Sequence, residues 1–396
     1  MKKKSAPKKK SAPKEAMNSK RPAAKKKARP SVGLIRALSV ASEPQADFDA
    51  VLGLIDSART LAVAAVNTVL IDLYWSIGEF IVRKIEADGW GKGTVEQLAE
   101  YVRLRRPDPR GFSAQNLWRM RQFYETYRNK PNLSPLVRDL SWTHNLAILS
   151  GCKRDEEREF YLRAAIREKW GKRDLQRQIN SALFERVVLS PPNLSPVVRE
   201  IHPVAATIFR DTYLVEFLQL SVGHSEADLH SGLVEHLKEF LIELGCDFCF
   251  VGSEYQIQVG NRDFFLDLLF FNRQLNCLVV FELKIGEFEP EYLGKLEFTL
   301  EALDRDVKKP HEQPSIGVLL CATQDHEVVK YALSRSASPA LVAQYQTALP
   351  DKKLLQSKLH EFYAMAAAEA AGDSNDHKAD MRRQAPKTKR KTSGNR

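Results

Sequence analysis

Two apolar runs that carry charge where charge is costly constrain this chain most: DFFLDLLFFN, residues 263–272, and CLVVFELKI, residues 277–285. Asp267 has apolar neighbours on both sides, the pattern of a central strand covered on both faces. A carboxylate in that setting is unfavourable unless something compensates it. In the second run Glu282 and Lys284 stand two residues apart, and side chains two apart on a strand share a face. A hairpin through FNRQLN brings Asp267 to that same face.

Two acids and one ammonium converging inside a sheet suit phosphodiester hydrolysis. Carboxylates are hard oxygen ligands of the kind Mg2+ prefers. A bound metal acidifies its water and offsets phosphorane charge, and a lysine can stabilise developing negative charge. The residue types leave a second reading open, a buried Asp–Lys ion pair with Glu282 at a strand end, because an E-x-K spacing alone arises by chance.

The surrounding pattern is mixed. Residues 47–190 read as helices. Phe48, Val51, Leu52, Ile55, Leu61 and Val66 recur at helical spacing, and a buried core helix is expected from about Asn67 to Asp88, ended by Gly89. Ser113 caps a further helix, SAQNLWRMRQFYETYR, after the break at PDPRG. Its Asn116, Arg119, Gln122 and Arg128 lie off the apolar face, and such side chains read base edges or grip phosphate. Trp142 and His144 in LSWTHN read as a helix-start turn. Residues 191–224, rich in proline, read as a linker with a connecting helix. From 225 to 365 a helix (Ser225 to Leu244), the strand runs, a helix near Tyr292 to Asp304, the strand SIGVLLCA, a short helix and the strand ALVAQY suggest an α/β domain with a mixed sheet. NLSPLVRD and NLSPVVRE read as two similar helix starts, each a cap serine followed by proline.

Five cysteines in scattered positions give no disulfide framework, and the lone CxxC of Cys246 and Cys249 lacks the second pair a zinc site needs. Buried reduced thiols are the expectation. Asn67, Asp72 and Glu79 argue against a membrane span in the most apolar stretch. No nucleotide-cofactor motif is present.

The segment from Phe248 to about Pro350 resembles the nuclease domain of the YhcG family, within the PD-(D/E)xK superfamily. The resemblance rests on FFLDLLFFNRQLNCLVVFELKIGEFEPEYLGKLEF, PSIGVLLC and YAL. LYWSIG, GWG, GFSAQNLWRMRQFY and LSWTHNLAIL resemble the same family's helical domain. The resemblance implies an α+β multidomain chain: an all-α N-terminal domain with a helix-turn-helix-like, winged-helix-type unit, then a restriction-endonuclease-like domain. It carries the metal acids onto Asp267 and Glu282, with Mg2+ or Mn2+ as cofactor, and the catalytic lysine onto Lys284. Glu254 stands where relatives often have Gln and is a weak further metal candidate. His230 stands where relatives tend to carry a Glu on the helix before the first strand. Lys295 and Tyr292, on the helix after the motif, could face a phosphate. The implied activity is a metal-dependent nuclease acting on DNA. The alternatives are a DNA-binding protein that keeps the fold without cleavage, and an RNA-directed nuclease. The chain leaves room for a homodimer.

Charge is segregated. Residues 1–30 carry a net +12 and residues 373–396 a net +5, leaving −7 on the middle of the chain. Residues 1–46 and 366–396 therefore read as disordered tails suited to a polyanion, and a cytoplasmic, nucleoid-associated protein is expected. Because phosphate contacts release counterions, deleting both tails should weaken nucleic-acid binding and flatten its dependence on salt. An unchanged slope in a salt titration of the truncated protein would refute this role for the tails.

Overall fold

The computed structural model describes residues 43–106 and 110–365, with side chains from residue 65 onward. The tail readings fall outside these residues, except that the first helix already begins at Glu43. From Leu61 on, the described residues form one compact unit.

The first part is helical: α1 (Glu43–Asp88), α2 (Lys92–Arg105), α3 (Ala114–Tyr127), α4 (Trp142–Gly151), α5 (Asp155–Arg167), α6 (Lys172–Asn180) and α7 (Leu183–Leu189). Ser113 caps α3 as expected, its Oγ accepting from the Asn116 N–H. α1 is one helix of 46 residues. It packs through Ile71, Tyr74, Ile81 and Val82. Gly78 lets it lie against α3, since a Cβ there would stand 2.2 Å from the Met120 carbonyl oxygen. The expectation of a buried core helix holds for one face only. Val66, Val69, Leu73 and Phe80 are exposed. No strand lies among the described residues before Asn193, so the winged element implied by the resemblance is not seen there.

The proline-rich stretch is not a linker. It forms β1 (Asn193–Leu194), α8 (Pro196–Ile201), α9 (Ala205–Ile208) and β2 (Thr212–Leu214), and both strands join the main sheet. Of the paired serine-proline starts, Ser195 caps α8 as expected, whereas Ser134 and Pro135 precede only a short 3-10 turn. The helix expected from Ser225 breaks at His236 into α10 (Glu226–Glu235) and α11 (Leu237–Leu244). Then follow β3 (Phe248–Val259), β4 (Arg262–Asn272), β5 (Cys277–Glu287), α12 (Tyr292–Asp306), β6 (Gln313–Thr323), α13 (His326–Ser334) and β7 (Ala340–Gln346). The sheet runs β1-β7-β6-β5-β4-β3, with β2 also on β7. β3, β4 and β5 pair antiparallel, while β5, β6 and β7 run parallel. Packed against one face are α8, α9, α10 and α11, and against the other α12 and α13. β4 and β5 are thus covered on both sides, as their continuous apolar character requires. On β6, Gly317 lies beneath α12, where a Cβ would meet the Leu296 side chain at 2.6 Å.

The helical and sheet parts are joined through one buried carboxylate. Glu243 on α11 is fully buried. Arg177 of α6 lies 3.1 Å from it, Arg186 of α7 3.5 Å and Arg210 3.0 Å, and the Leu214 N–H donates to it at 3.1 Å. Arg177 also grips Glu216 with two hydrogen bonds. Burial alone would push the Glu243 carboxyl up, but the Arg210, Arg186 and Arg177 guanidiniums outweigh it and hold the carboxyl at about 2. A carboxyl held below its unfolded value stabilises the fold fully above that unfolded value and loses the contribution as pH falls through the folded one. Glu243→Gln, which removes the buried charge facing three guanidiniums and leaves Arg186 and Arg210 without a carboxylate among the described residues, should cost about 3–5 kcal/mol in urea unfolding at neutral pH. It should also flatten the fall in stability between about pH 4 and pH 2. Equal unfolding midpoints for variant and parent would show that the junction contributes nothing.

Candidate active site

The hairpin of β4 and β5 forms as the sequence suggests, and its ladder stops at the charged residues. Regular pairing runs from Asn272↔Cys277 to Leu268↔Phe281. The next pair in that register is Asp267 and Glu282. There the Asp267 side chain replaces a main-chain partner, its Oδ2 accepting the Leu283 N–H at 2.7 Å. The other side of Asp267 is also irregular. Ser253↔Leu268 and Tyr255↔Leu266 pair, but Glu254, which falls between them opposite Asp267, has a φ of 47°. Leu266 belongs to the core under α12 and Leu268 to the opposite core, so the strand's alternation slips at Asp267. The Asp267 carbonyl, freed from the ladder, accepts from His230 Nε2 at 3.1 Å. His230 thus supports the backbone of the acid.

Glu282 is 1% exposed and lies on the α12 face of β5. Its Oε2 accepts from Lys295 Nζ at 2.8 Å, while Oε1 is buried with no hydrogen-bond partner. Burial raises the Glu282 carboxyl above the usual carboxylate range, and the Asp267 charge adds to the effect; Lys295 and Lys284 oppose it. Burial works against the Lys295 ammonium, yet its bond to Glu282 and the charges of Glu282, Asp267 and Glu226 hold it above the ordinary lysine value. Lys284 donates to the Leu283 carbonyl at 2.7 Å and to Glu226 at 3.0 Å, and sits 5.7 Å from the Tyr292 ring centroid.

Three expectations change. A carboxylate does stand on the helix before the first strand: it is Glu226, at the first position of α10, not the His230 position. Sequence reading located that helix through Ser225, whose side chain caps it with Asp228 in a reciprocal box. It could not tell which helical residue would meet β5. Lys295, expected as a phosphate contact, is bonded to Glu282. The Glu254 side chain is exposed and makes no hydrogen bond or ion pair with Asp267 or Glu282 among the described residues. No group of three or more His, Cys, Asp or Glu side chains is arranged around a common metal position among those residues. Asp267 and the free Glu282 oxygen still fit one hard cation, because Mg2+ binds through one or two carboxylates and keeps several waters.

On α3 the four expected contacts separate. The Asn116 amide is committed inside the domain, donating to the Gly111 carbonyl and accepting from Trp142 Nε1. Arg128, at the C-terminal end, lies near Glu86 and the Tyr124 ring, and at 100° per residue it falls far round the helix from Gln122. Arg119 and Gln122 remain exposed, three residues apart on one side. His144 is held between Ser141 and the Trp170 carbonyl, in keeping with a helix-start turn. Cys152, Cys277 and Cys321 are buried thiols, but Cys246 and Cys249 are exposed, against expectation.

Residues 206–360 match the YhcG PDDEXK nuclease domain, and residues 50–186 match the DUF1016 N-terminal domain. The chain is 31% identical over 348 residues to YhcG of Escherichia coli (strain K12), a protein with a provisional nuclease name, covering 78% of this chain and 92% of that one. The chain belongs to the YhcG family of PDDEXK nucleases. PDDEXK nucleases generally use divalent metal ions. Among solved structures, a repair endonuclease from Pyrococcus abyssi aligns at 16% identity and a TM-score of 0.22, over 33% of this chain and 50% of that one. An EndoMS–dsDNA2 complex aligns at 20% identity and 0.24, over 33% and 48%. These two alignments are too weak to bear on the site.

The bond from Leu283 N–H to Asp267 yields a test of the local architecture. Asp267→Asn keeps an oxygen acceptor and should unfold within a few degrees of the parent. Asp267→Ala leaves a part-buried N–H unpaired and should cost about 1–3 kcal/mol. Thermal melts of the two variants side by side read the difference, and equal melts would mean that the bond does not matter to stability.

Proposed function

We propose that this nuclease hydrolyses phosphodiester bonds in DNA, using Mg2+ or Mn2+ held by Asp267 and Glu282, with Lys284 as the catalytic cation. The observation that carries this reading is the buried, unpartnered Glu282 Oε1 beside Asp267, at the point where the β4–β5 ladder stops. Unpartnered buried oxygens also occur at Glu157 and Glu185 in the helical part, so the reading rests on Oε1 together with Asp267 and Lys284 at the broken ladder. When bound, the metal supplies an acidified water and charge neutralisation at phosphorus. The rest falls to the chain. Asp267 is fixed by the Leu283 N–H and by the His230 contact to its own carbonyl. Glu282 is oriented through Lys295. Lys284, held by Glu226 and the Leu283 carbonyl, presents an ammonium on the same face, where it can stabilise charge developing on a phosphate oxygen.

The choice of DNA rests on α3, whose exposed Arg119 and Gln122 are side chains that read purine edges in an open major groove. The corresponding groove of A-form RNA is too narrow for side chains. Basic tails and a nucleic-acid substrate fit a nucleoid-associated protein of the cytoplasm.

The decisive experiment incubates purified protein with plasmid, linear, branched and RNA substrates, with and without Mg2+ or Mn2+, alongside Asp267→Asn, Glu282→Gln and Lys284→Ala. Both acid variants should keep their fold and lose metal binding and at least about a hundredfold in cleavage rate. Lys284→Ala should lose cleavage and retain metal binding, because an ammonium is not a ligand. Cleavage without added metal, or full activity in Glu282→Gln, would overturn the assignment, and preference for RNA would move the substrate.

A further inference from the structure

α1 carries two apolar faces where one would suffice. The first packs into its own helical domain through Ile71, Tyr74, Ile81 and Val82. The second faces solvent, with Val66 66% exposed, Val69 69%, Leu73 44% and Phe80 44%. At 100° per residue these four fall within about 60° of one another, well away from the buried face. Their spacing alternates three and four, the repeat of a coiled-coil seam. The same alternation extends back through the sequence to Ala62, Ile55, Leu52 and Phe48, interrupted only by Arg59, with Ser76 as the other polar position. In the sequence, positions at this spacing run from Phe48 to Phe80, 33 residues. At the positions of the first, buried face, this earlier part of the sequence reads Asp49, Gly53, Asp56 and Thr60. The seam keeps eight apolar residues at ten positions, Arg59 and Ser76 being the exceptions.

We propose that α1 pairs along this seam with α1 of a second copy, making the protein a coiled-coil dimer with two nuclease domains. A strict seven-residue repeat drifts around a lone straight helix and stays in line only where two helices wind together. A surface that meets itself across a two-fold axis needs no other partner. The chain's own outlying segments offer little to cover it. Residues 366–396 contain one large apolar residue, Met381, and residues 1–30 only Met1 and Met17. The apolar stretch from Val32 to Val40 is nine residues long against a seam of 33. A lipid surface is the competing occupant, because Ala65–Asp88 is long and apolar enough to cross a membrane. Asp72 and Glu79 beside the seam, and a buried face already packed on protein, favour a partner helix.

Sedimentation of the full chain across micromolar concentrations tests this, with Val66→Glu/Val69→Glu as the variant. Both sites are exposed in the single chain, so the circular dichroism of the folded domains should stay close to the parent, while the melt should lose its dependence on protein concentration. The parent should sediment as a dimer, and the variant as a monomer whose cleavage of a short linear substrate per site is unchanged. Should the double variant lose its fold, Leu73→Gln gives the same readout. A monomeric parent, or a dimer that survives the substitutions, overturns the proposal. So does a parent that is monomeric in solution and floats with phosphatidylglycerol vesicles. Failure of metal-dependent cleavage in the parent would leave the sedimentation result standing, so the two assignments fail separately.

Discussion

The described structure turns on Glu243. A fully buried carboxylate would be intolerable by itself, and three guanidiniums from different parts of the chain make it tolerable. Arg177 and Arg186 come from the helical part, Arg210 from the segment leading into the sheet, and Glu243 from the helix before the first long strand. Each charge therefore depends on elements far apart in sequence being folded together. The same α10–α11 layer carries Glu226 and His230, which touch Lys284 and the Asp267 backbone. Electrostatics at the junction and geometry at the site share one support.

The candidate site is balanced by opposing charges. Asp267, Glu282 and Glu226 face Lys284 and Lys295, and no carboxylate in the group is far from an ammonium or a main-chain N–H. Burial and like charge raise Glu282, the lysines draw it back, and one oxygen stays unmatched. Directly opposed residues of an antiparallel pair lie side by side, and here the ladder between their strands also ends. Asp267 breaks it with its own side chain.

The sequence made the central elements legible because they obey simple periodicities. Two strands covered on both faces read as continuous apolar runs, and the only charges inside them stood out. The shared face of Glu282 and Lys284 follows from a period of two, and the hairpin brought Asp267 to them. Contacts set by tertiary packing were not legible. Glu226 is an ordinary first-turn acid until α10 is laid against β5. Lys295 is an ordinary helix lysine until α12 covers Glu282. Asn116 looked available for bases because nothing local says that Trp142, 26 residues on, will take its oxygen. The prolines of 191–224 spoke for a linker, yet β1 uses the gap between Pro192 and Pro196, and β2 the stretch after Pro203, to extend the sheet beside β7, whose pairing no local pattern announces.

Gly317 sets how close α12 can come to the sheet. It stands next to Val280 on the neighbouring strand, one pleat before Glu282, with Leu296 directly above it. Leu296 follows Lys295 in the chain, so the height of the helix above the strand is also the starting height of the lysine. A hydrogen bond of 2.8 Å has a few tenths of an ångström to spare before it weakens. A methyl group on β6, touching neither charged residue, would lift that floor and lengthen the lysine's reach. The tolerance of the ion pair is therefore written into a residue that carries no functional group at all.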